Sequence, residues 1–294
     1  MNMIDQTLFR ADLHCHSTCS DGTFSPEELI QEAAKAGLQG LAITDHDTIK
    51  AYDSALEVAR KYNIRLISGV ELSCSYKDEI IHVLGYSFDL HNSEIQALCK
   101  KHAERRDTRN RIILEKLARH NIYIEENELI SFAQDEEHSS QKSIIGRPHI
   151  AQAMLKKGYI STISEAFSKY IGNSQPCYAS GITTSVEEAI HTIHQAKGKA
   201  VLAHPYIYSK QHIRQIKNFP FDGVEAYYSR LPLHREIPWI NYAKSKGLMI
   251  TGGSDFHGKV KADIPLGCSW VNEETFQELE SLFLENHSAL YRAV

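Results

Sequence analysis

Short apolar runs recur along this chain, and most are separated by amphipathic helical patterns. The aliphatic and β-branched runs are "LFRADLH" at 8–14, "GLAITDH" at 40–46, "RLISGVEL" at 65–72, "IIHVLGYSF" at 80–88, "KAVLAHP" at 199–205, "GVEAYY" at 223–228 and "LMITGGSD" at 248–255. Each reads as a strand. Among the helical patterns "SPEELIQEAAKAG" is the clearest: Ser25 caps it, Pro26 suits its first position, Glu28 completes a capping box and Gly37 ends it. "AYDSALEVARKYN" follows the second strand, "SVEEAIHTIHQAKG" precedes the fifth and "REIPWINYAKSKG" precedes the seventh. Repeated βα units predict an α/β fold with a parallel sheet, open or closed.

Residues 93–185 break this rhythm. "SEIQALCKKHAERRDTRNRIILEKLARH" is too long for one crossover helix, and "EENELISFAQDEEHSSQKS" and "GRPHIAQAMLKKGYISTISEAFSKYIG" continue without a strand. The expected organisation is an α/β unit in two parts, 1–92 and 186–294, around a helical insertion at 93–185 that sets substrate identity.

Polar residues fall at the strand ends. The first strand ends at His14 and His16, the second at Asp45 and His46, and the third at Glu71. The fourth contains His82, the fifth ends at His204 and the seventh at Asp255 and His257, while Asp21 follows a Ser- and Thr-rich turn after the first. His14 and His16 lie two apart and so share a strand face. Taken alone, that pair fits a solvated surface strand as well as a metal site. In a parallel α/β fold, however, strand C-termini share one rim, where sites are assembled from several strands. Nine ligand-type side chains there, His14, His16, Asp21, His46, Glu71, His82, His204, Asp255 and His257, exceed the needs of one four-coordinate zinc. They fit a multinuclear centre in which a carboxylate such as Glu71 bridges ions about 3.5–4 Å apart, acidifying a water for in-line attack at phosphorus. Six imidazoles with three carboxylates favour manganese, iron or zinc over magnesium or calcium.

Composition narrows the class without choosing the chemistry. The 294 residues suit one α/β barrel or two smaller domains, and 42% hydrophobic with 23% charged residues is a globular composition. No apolar run is long enough to span a bilayer and the N-terminus lacks a signal-peptide layout, so a cytoplasmic enzyme without a membrane partner is expected. Six cysteines without a CxxC pair argue against a disulfide framework. A net charge of −5 excludes a generally basic, nucleic-acid-coating protein.

"DLHCHSTCSDG", "AITDHDT", "GVELS", "IHVLGY", "AVLAHP" and "GGSDFHG" together resemble the PHP (polymerase and histidinol phosphatase) superfamily of metal-dependent phosphoesterases. The resemblance implies a distorted seven-stranded β/α barrel with an inserted helical domain and a trinuclear site. By motif, one ion would take His14, His16, Glu71 and Asp255, a second Glu71, His82 and His204, and a third Asp21, His46 and His257. The expected cofactors are three divalent ions, manganese first, with iron or zinc as alternatives. Asp21, Glu71 and His257 are also expected to act in catalysis, with His257 and Asp45 as candidates to protonate the leaving oxygen. Asp12 is expected to orient an imidazole, and Asp45 and Asp47 could instead be helix-start residues. Glu225, at the end of the sixth strand, is left as a structural or supporting carboxylate. The inserted "ERRDTRNRIILEKL" and "GRPHIAQAML" look most like the bacterial branch that removes the 3′-phosphate from nucleoside 3′,5′-bisphosphates, whose relatives also trim short RNA from the 5′ end.

That branch directs attention to arginines. Along the first inserted helix the apolar stripe Leu98, Cys99, Ala103, Ile113 and Leu117 includes Arg106, with Arg109 one turn on. Two guanidiniums there could share a phosphate, although a solvated helix laced with Glu104 and Asp107 pairs fits the same stretch. Arg147 precedes Pro148 at a helix start, where free backbone N–H groups add to an anion site; Lys142 is a weaker candidate nearby. The expected substrate is a small nucleotide or short single-stranded RNA, bound by Arg106, Arg109 and Arg147, with no obligate protein partner. Histidinol-phosphate phosphatase is the alternative enzyme, separable by substrate competition. A non-catalytic metal-dependent nucleotide-binding module is the alternative class, and the intact ligand set counts against it.

Overall fold

The computed structural model describes residues 8–133, 145–181 and 184–288; Lys142 lies outside them. Seven strands hydrogen-bond in chain order in one sheet: β1 (Ala11–Cys15), β2 (Gly40–Ile43), β3 (Arg65–Tyr76), β4 (Glu79–Tyr86), β5 (Lys199–Leu202), β6 (Gly223–Tyr228) and β7 (Met249–Gly253). The helices are α1 (Pro26–Lys35), α2 (Tyr52–Lys61), α3 (Ser93–Ala118), α4 (Glu126–Ala133), α5 (Arg147–Lys156), α6 (Ile163–Ala166, continued by a π-turn over Phe167–Ile171), α7 (Val186–Gln195), α8 (Lys210–Ile216), α9 (Leu233–Lys246) and α10 (Glu273–Asn286). The capping box at Ser25 and Glu28 forms, and Gly37 ends α1 at φ 72°.

The all-parallel expectation fails at β4. β1, β2 and β3 are parallel, as are β5, β6 and β7, but β4 is antiparallel to both its neighbours. Only Lys77 and Asp78 separate β3 from β4, with Lys77 at φ 55°. Two residues make a hairpin and cannot hold a crossover helix. The reversal explains why His82 sits in the first half of its strand: the N-terminal half of an antiparallel strand lies at the rim where its neighbours end. His82 pairs with Ser73 across the hairpin, two residues from Glu71, so all three share a face.

β7 returns to β1 and nearly closes the sheet. Asp255 N donates to His14 O at 2.7 Å and His16 N donates to Phe256 O at 2.9 Å. A side chain at Gly253 would place a carbon 2.3 Å from His14 N, so the seam requires glycine there.

Two hydrophobic clusters form. One fills the sheet interior and packs it against α1, α2, α7 and α10, and it includes Ile95, Leu98 and Cys99 from the start of α3. The other lies within the insertion and includes Ile113 and Leu117 from the end of α3, with Ile150, Ala153 and Met154 of α5. At 26 residues α3 is about 40 Å long, enough to belong to both.

Candidate active site

Every strand sends a polar side chain to one rim, and the structure brings all nine predicted ligand residues together there. The β7–β1 seam supplies His14, His16, Asp255 and His257. The segment after β2 lies along Glu71, with Asp47 N donating to Glu71 O at 2.9 Å, which sets His46 beside it. Ala203 N donates to His82 O at 3.3 Å and so carries His204 next to His82. Asp47, His204 and Asp255 have left-handed backbones, at φ 59°, 26° and 55°. Such conformations are disfavoured for branched side chains and persist where the surroundings hold them.

Glu71 is the hub. Its Oε1 lies 2.8 Å from His82 Nδ1 and 2.9 Å from His204 Nε2, while its Oε2 lies 3.2 Å from His16 Nε2, 3.2 Å from His46 Nδ1 and 3.3 Å from His14 Nε2. Three overlapping donor groups result: His14, His16, Glu71 and Asp255; His16, Asp21, His46 and His257; and His46, Glu71 and His82. His204 adjoins the last, its Nε2 being 3.1 Å from His82 Nδ1. Compared with the expected partition, His16 joins the Asp21 group and His46 faces Glu71 as well.

Whether such a cluster suits cations is decided by its unsatisfied atoms. His14 Nε2, both nitrogens of His16, His46 Nδ1 and Glu71 Oε2 are buried without a hydrogen-bond partner among the described residues. Orphaned buried polar atoms are costly, and several converging on one space indicate that something else satisfies them. Burial pushes the Glu71 carboxyl up, but His46, His82 and His14 outweigh it and hold it well below the usual range. Asp21 and Asp255 are likewise held low against burial, Asp21 by His257 and His46, Asp255 by Lys261 and His14. Burial drives His46 down to about 3, whereas for His16 burial is outweighed by Asp255 and Glu71, which raise it to about 9. Ionised carboxylates among ring nitrogens, with no thiolate in the set, fit divalent ions of the manganese, iron and zinc type.

The surrounding residues partly correct the sequence reading. Asp12 binds backbone and no imidazole: Oδ1 accepts from His14 N at 3.1 Å and Ser254 N at 2.9 Å, and Oδ2 accepts from Gly267 N at 2.8 Å. The carboxylate on His14 is Glu225 of β6, whose Oε1 lies 2.8 Å from His14 Nδ1 and whose Oε2 accepts from His204 N at 2.7 Å. Asp45 accepts from Ser17 N at 2.8 Å, Ser17 Oγ at 2.5 Å and Ser20 Oγ at 2.5 Å, so it braces the loop before Asp21 and has no free oxygen for the leaving group. Neither Asp45 nor Asp47 starts a helix, since α2 begins after Ala51. Tyr228 Oη and Lys261 Nζ both donate to Asp255 Oδ2, at 2.7 and 2.5 Å, leaving Oδ1 toward His14 and His16. Glu225 was detectable as a carboxylate on the one strand without a predicted ligand. Tyr228 and Lys261 carried no distinguishing pattern.

The three arginines lie near one another on the insertion side, and they differ. Arg106 pairs with Asp47 and donates to Ser73 Oγ at 3.1 Å, so its anionic partner is internal. Arg109 is buried and donates to a neutral acceptor, Asn110 Oδ1, at 2.9 Å; burial, then Arg106 and Arg147, lower it to about 9. Arg147 Nη1 donates to Asn173 Oδ1 at 3.0 Å and Ile171 O at 3.3 Å, and its guanidinium lies over Tyr178 and Phe167. Among the described residues neither Arg109 nor Arg147 has a carboxylate partner.

A seven-strand α/β barrel with a His- and carboxylate-lined rim and an arginine-bearing insertion defines a metal-binding phosphate-ester site in outline. The PHP domain family matches residues 12–203, and the chain belongs to that family. It is 32% identical over 266 residues to a 5′-3′ exoribonuclease of Haemophilus influenzae, covering 88% of this chain and 91% of that protein. It is 30% identical over 252 residues to the 3′,5′-nucleoside bisphosphate phosphatase of Chromobacterium violaceum, covering 84% of this chain and 86% of that one. A Bifidobacterium adolescentis protein assigned as a metal-dependent phosphoesterase superposes with a TM-score of 0.83 at 29% identity, over 92% of this chain and 96% of the other. No helix among the described residues is long and apolar enough to cross a membrane.

Proposed function

We propose that this chain is a metal-dependent phosphoesterase that removes the 3′-phosphate from nucleoside 3′,5′-bisphosphates and acts at the 5′ end of short RNA. The observation that carries the substrate class is the pair of guanidiniums, Arg109 and Arg147, which lie near Arg106 on the insertion side and have no carboxylate partner among the described residues. A buried cation without an anion is unfavourable, and a second phosphate supplies one.

Three divalent ions, manganese first with iron or zinc as alternatives, would be held by the nine rim residues, with Glu71 shared between two of them. When bound they supply charge that polarises the phosphoryl oxygens and acidifies an attacking water. The chain's own residues do the rest. Glu225 accepts from His14 Nδ1–H and thereby turns the Nε2 lone pair toward the cluster. His257 Nδ1 lies 2.9 Å from Asp255 O, which turns its Nε2 toward Asp21. Lys261 and Tyr228 hold the outer oxygen of Asp255. Segment 93–185 acts as the recognition element: Arg106 holds Asp47 and the wall in place, and Arg109 and Arg147 take the phosphate that does not react. A nucleotide substrate and six free cysteines fit a reducing compartment, the cytoplasm.

The test is a panel of phosphate esters assayed for phosphate release after metal loading. Adenosine 3′,5′-bisphosphate should be preferred over histidinol phosphate and over mononucleotides. Preference for histidinol phosphate in direct competition would overturn the assignment.

A further inference from the structure

Beyond Asp255 the rim continues into an aromatic and apolar surface that a bisphosphate leaves unused. Tyr228 of β6, whose hydroxyl donates to Asp255 Oδ2 at 2.7 Å, stacks on Tyr206 with ring centroids 6.0 Å apart, and Tyr206 meets Trp239 of α9 edge-on at 6.2 Å. Burial, then Glu225 and Glu236, raise the Tyr206 hydroxyl and Arg235 opposes them, which places the first turns of α9 beside that ring. α9 is poorly covered. Of its 14 residues only Ala243 is buried, and Leu233 and Ile237, one turn apart, are 64% and 43% exposed, while Ile207 beside Tyr206 is 61% exposed. Large apolar side chains grouped at the surface mark a contact face. Its charge is distinctive as well: residues 228–247 carry four Lys and Arg against one acid, in a chain of net charge −5. The exposed Arg230 and Arg235 have no carboxylate partner among the described residues.

This face lies across the barrel from the arginines of the insertion. Arg106 reaches Asp47 after β2 and Ser73 of β3, and β6 is three strand steps from either, through β4 and β5 or through β1 and β7 at the seam. The donor cluster spans the interval, from His46 next to Asp47 to Asp255 under Tyr228. An RNA with its 5′-phosphate on Arg109 and Arg147 and its first internucleotide phosphate at the cluster therefore runs on toward Tyr206. We propose that Tyr206 and Trp239, together with Arg230 and Arg235 of the flanking segment, form a ledge that binds the nucleotides following the scissile phosphate. The role rests on the phosphoesterase reading above. Bases stack on aromatic rings whatever their sequence, and arginines track the backbone, which suits removal of any 5′ nucleotide in turn. Water adds to phosphorus and the P–O3′ bond breaks; O3′ keeps the electron pair and takes a proton from that water, so the first nucleotide leaves as a 5′-monophosphate. The phosphate stays on O5′ of the second nucleotide, ready for the arginines in the next round. A second copy of the chain is a poorer occupant, because a two-fold contact sets this basic face against itself.

Two variants test the ledge: Tyr206→Leu, which removes the ring, and Arg230→Gln combined with Arg235→Gln, which removes only exposed charge. Tyr206→Phe keeps the ring and serves as the control. The metal-loaded enzyme would be assayed on 5′-phosphorylated penta-adenylate and on adenosine 3′,5′-bisphosphate, which has no following nucleotide, with bound metal measured alongside. Tyr206→Leu should lose about tenfold in kcat/KM on the pentanucleotide, with the bisphosphate rate and metal content parental, and Tyr206→Phe should retain both activities. The arginine variant should flatten the slope of log kcat/KM against log salt on the pentanucleotide by roughly 0.7 for each arginine removed. Equal losses on the two substrates, or a pentanucleotide rate and salt slope unchanged in the arginine variant, would overturn the proposal. So would a dimer in size-exclusion chromatography that Leu233→Ser dissolves, which would give the face to a second copy. A parent enzyme that releases phosphate from the bisphosphate but leaves the pentanucleotide intact would overturn the ledge alone. Inactivity on every phosphate ester would overturn the phosphoesterase reading itself, and the ledge with it.

Discussion

Replacing Arg147 with methionine removes a guanidinium while keeping a flexible apolar stem beside Phe167 and Tyr178. The guanidinium carbon lies 5.9 and 5.5 Å from those ring centroids, and its hydrogen bonds go to the neutral oxygens of Asn173 and Ile171. Among the described residues it has no anionic partner, and a substrate phosphate would supply one. Hydrogen bonds to charged groups contribute about 1.5–3 kcal/mol, and each ~1.4 kcal/mol is a factor of ten. Arg147→Met should lower kcat/KM on adenosine 3′,5′-bisphosphate by roughly ten- to a hundredfold. The fold should tolerate the change: cation–π contacts at partly exposed sites contribute ~0.5–1 kcal/mol each, and their loss is offset by relief of a desolvated charge. The assay is paired kinetics on the bisphosphate and on p-nitrophenyl phosphate, which has no second phosphate to lose. Equal losses on both would refute a bisphosphate role for Arg147 and place it at the reacting phosphate or in the fold.

Glu71→Gln should be the most damaging ligand change, because the carboxylate belongs to two of the three donor groups. Elemental analysis should fall from near three ions per chain toward one, and a variant that retains full metal and turnover would refute the bridging role. Glu225→Gln should weaken metal affinity by about ten- to a hundredfold in chelator competition, the usual effect of losing a carboxylate behind a ligating histidine; unchanged affinity would exclude that support. Arg106→Met leaves Asp47, 1% exposed, as a buried charge without its cation and should destabilise by about 3–5 kcal/mol in denaturant unfolding. Asp47→Asn in the same chain should restore most of that, and an unaffected single variant would show that the pair contributes little.

What was legible in the sequence follows from how local each signal is. All seven strands could be read because each is a short aliphatic run bounded by turn residues, and α1 because its cap lies within four residues. The nine rim residues stood out because histidines and carboxylates at strand ends are anomalous in a core. The direction of β4 was missed, although the absence of a helical pattern between "RLISGVEL" and "IIHVLGYSF" was in plain view. The partners of the buried carboxylates could not be read at all. Asp12 meets Gly267 across 255 positions and Glu225 meets His14 across 211, contacts that only the closed barrel creates. Arg106 sits on the predicted stripe and does find an anion, but the anion is Asp47, 59 positions away, so spacing within the helix said nothing of its identity.

The central claim is that the Glu71 cluster and the insertion's arginines together select a nucleotide bearing two phosphates and release the 3′ one. The most direct measurement is chromatographic identification of the products from adenosine 3′,5′-bisphosphate and the metal-loaded enzyme. The account predicts adenosine 5′-monophosphate and inorganic phosphate in equal amounts, at a rate that falls to background in Glu71→Gln. Accumulation of adenosine 3′-monophosphate, or no hydrolysis by a fully metal-loaded protein, would contradict it.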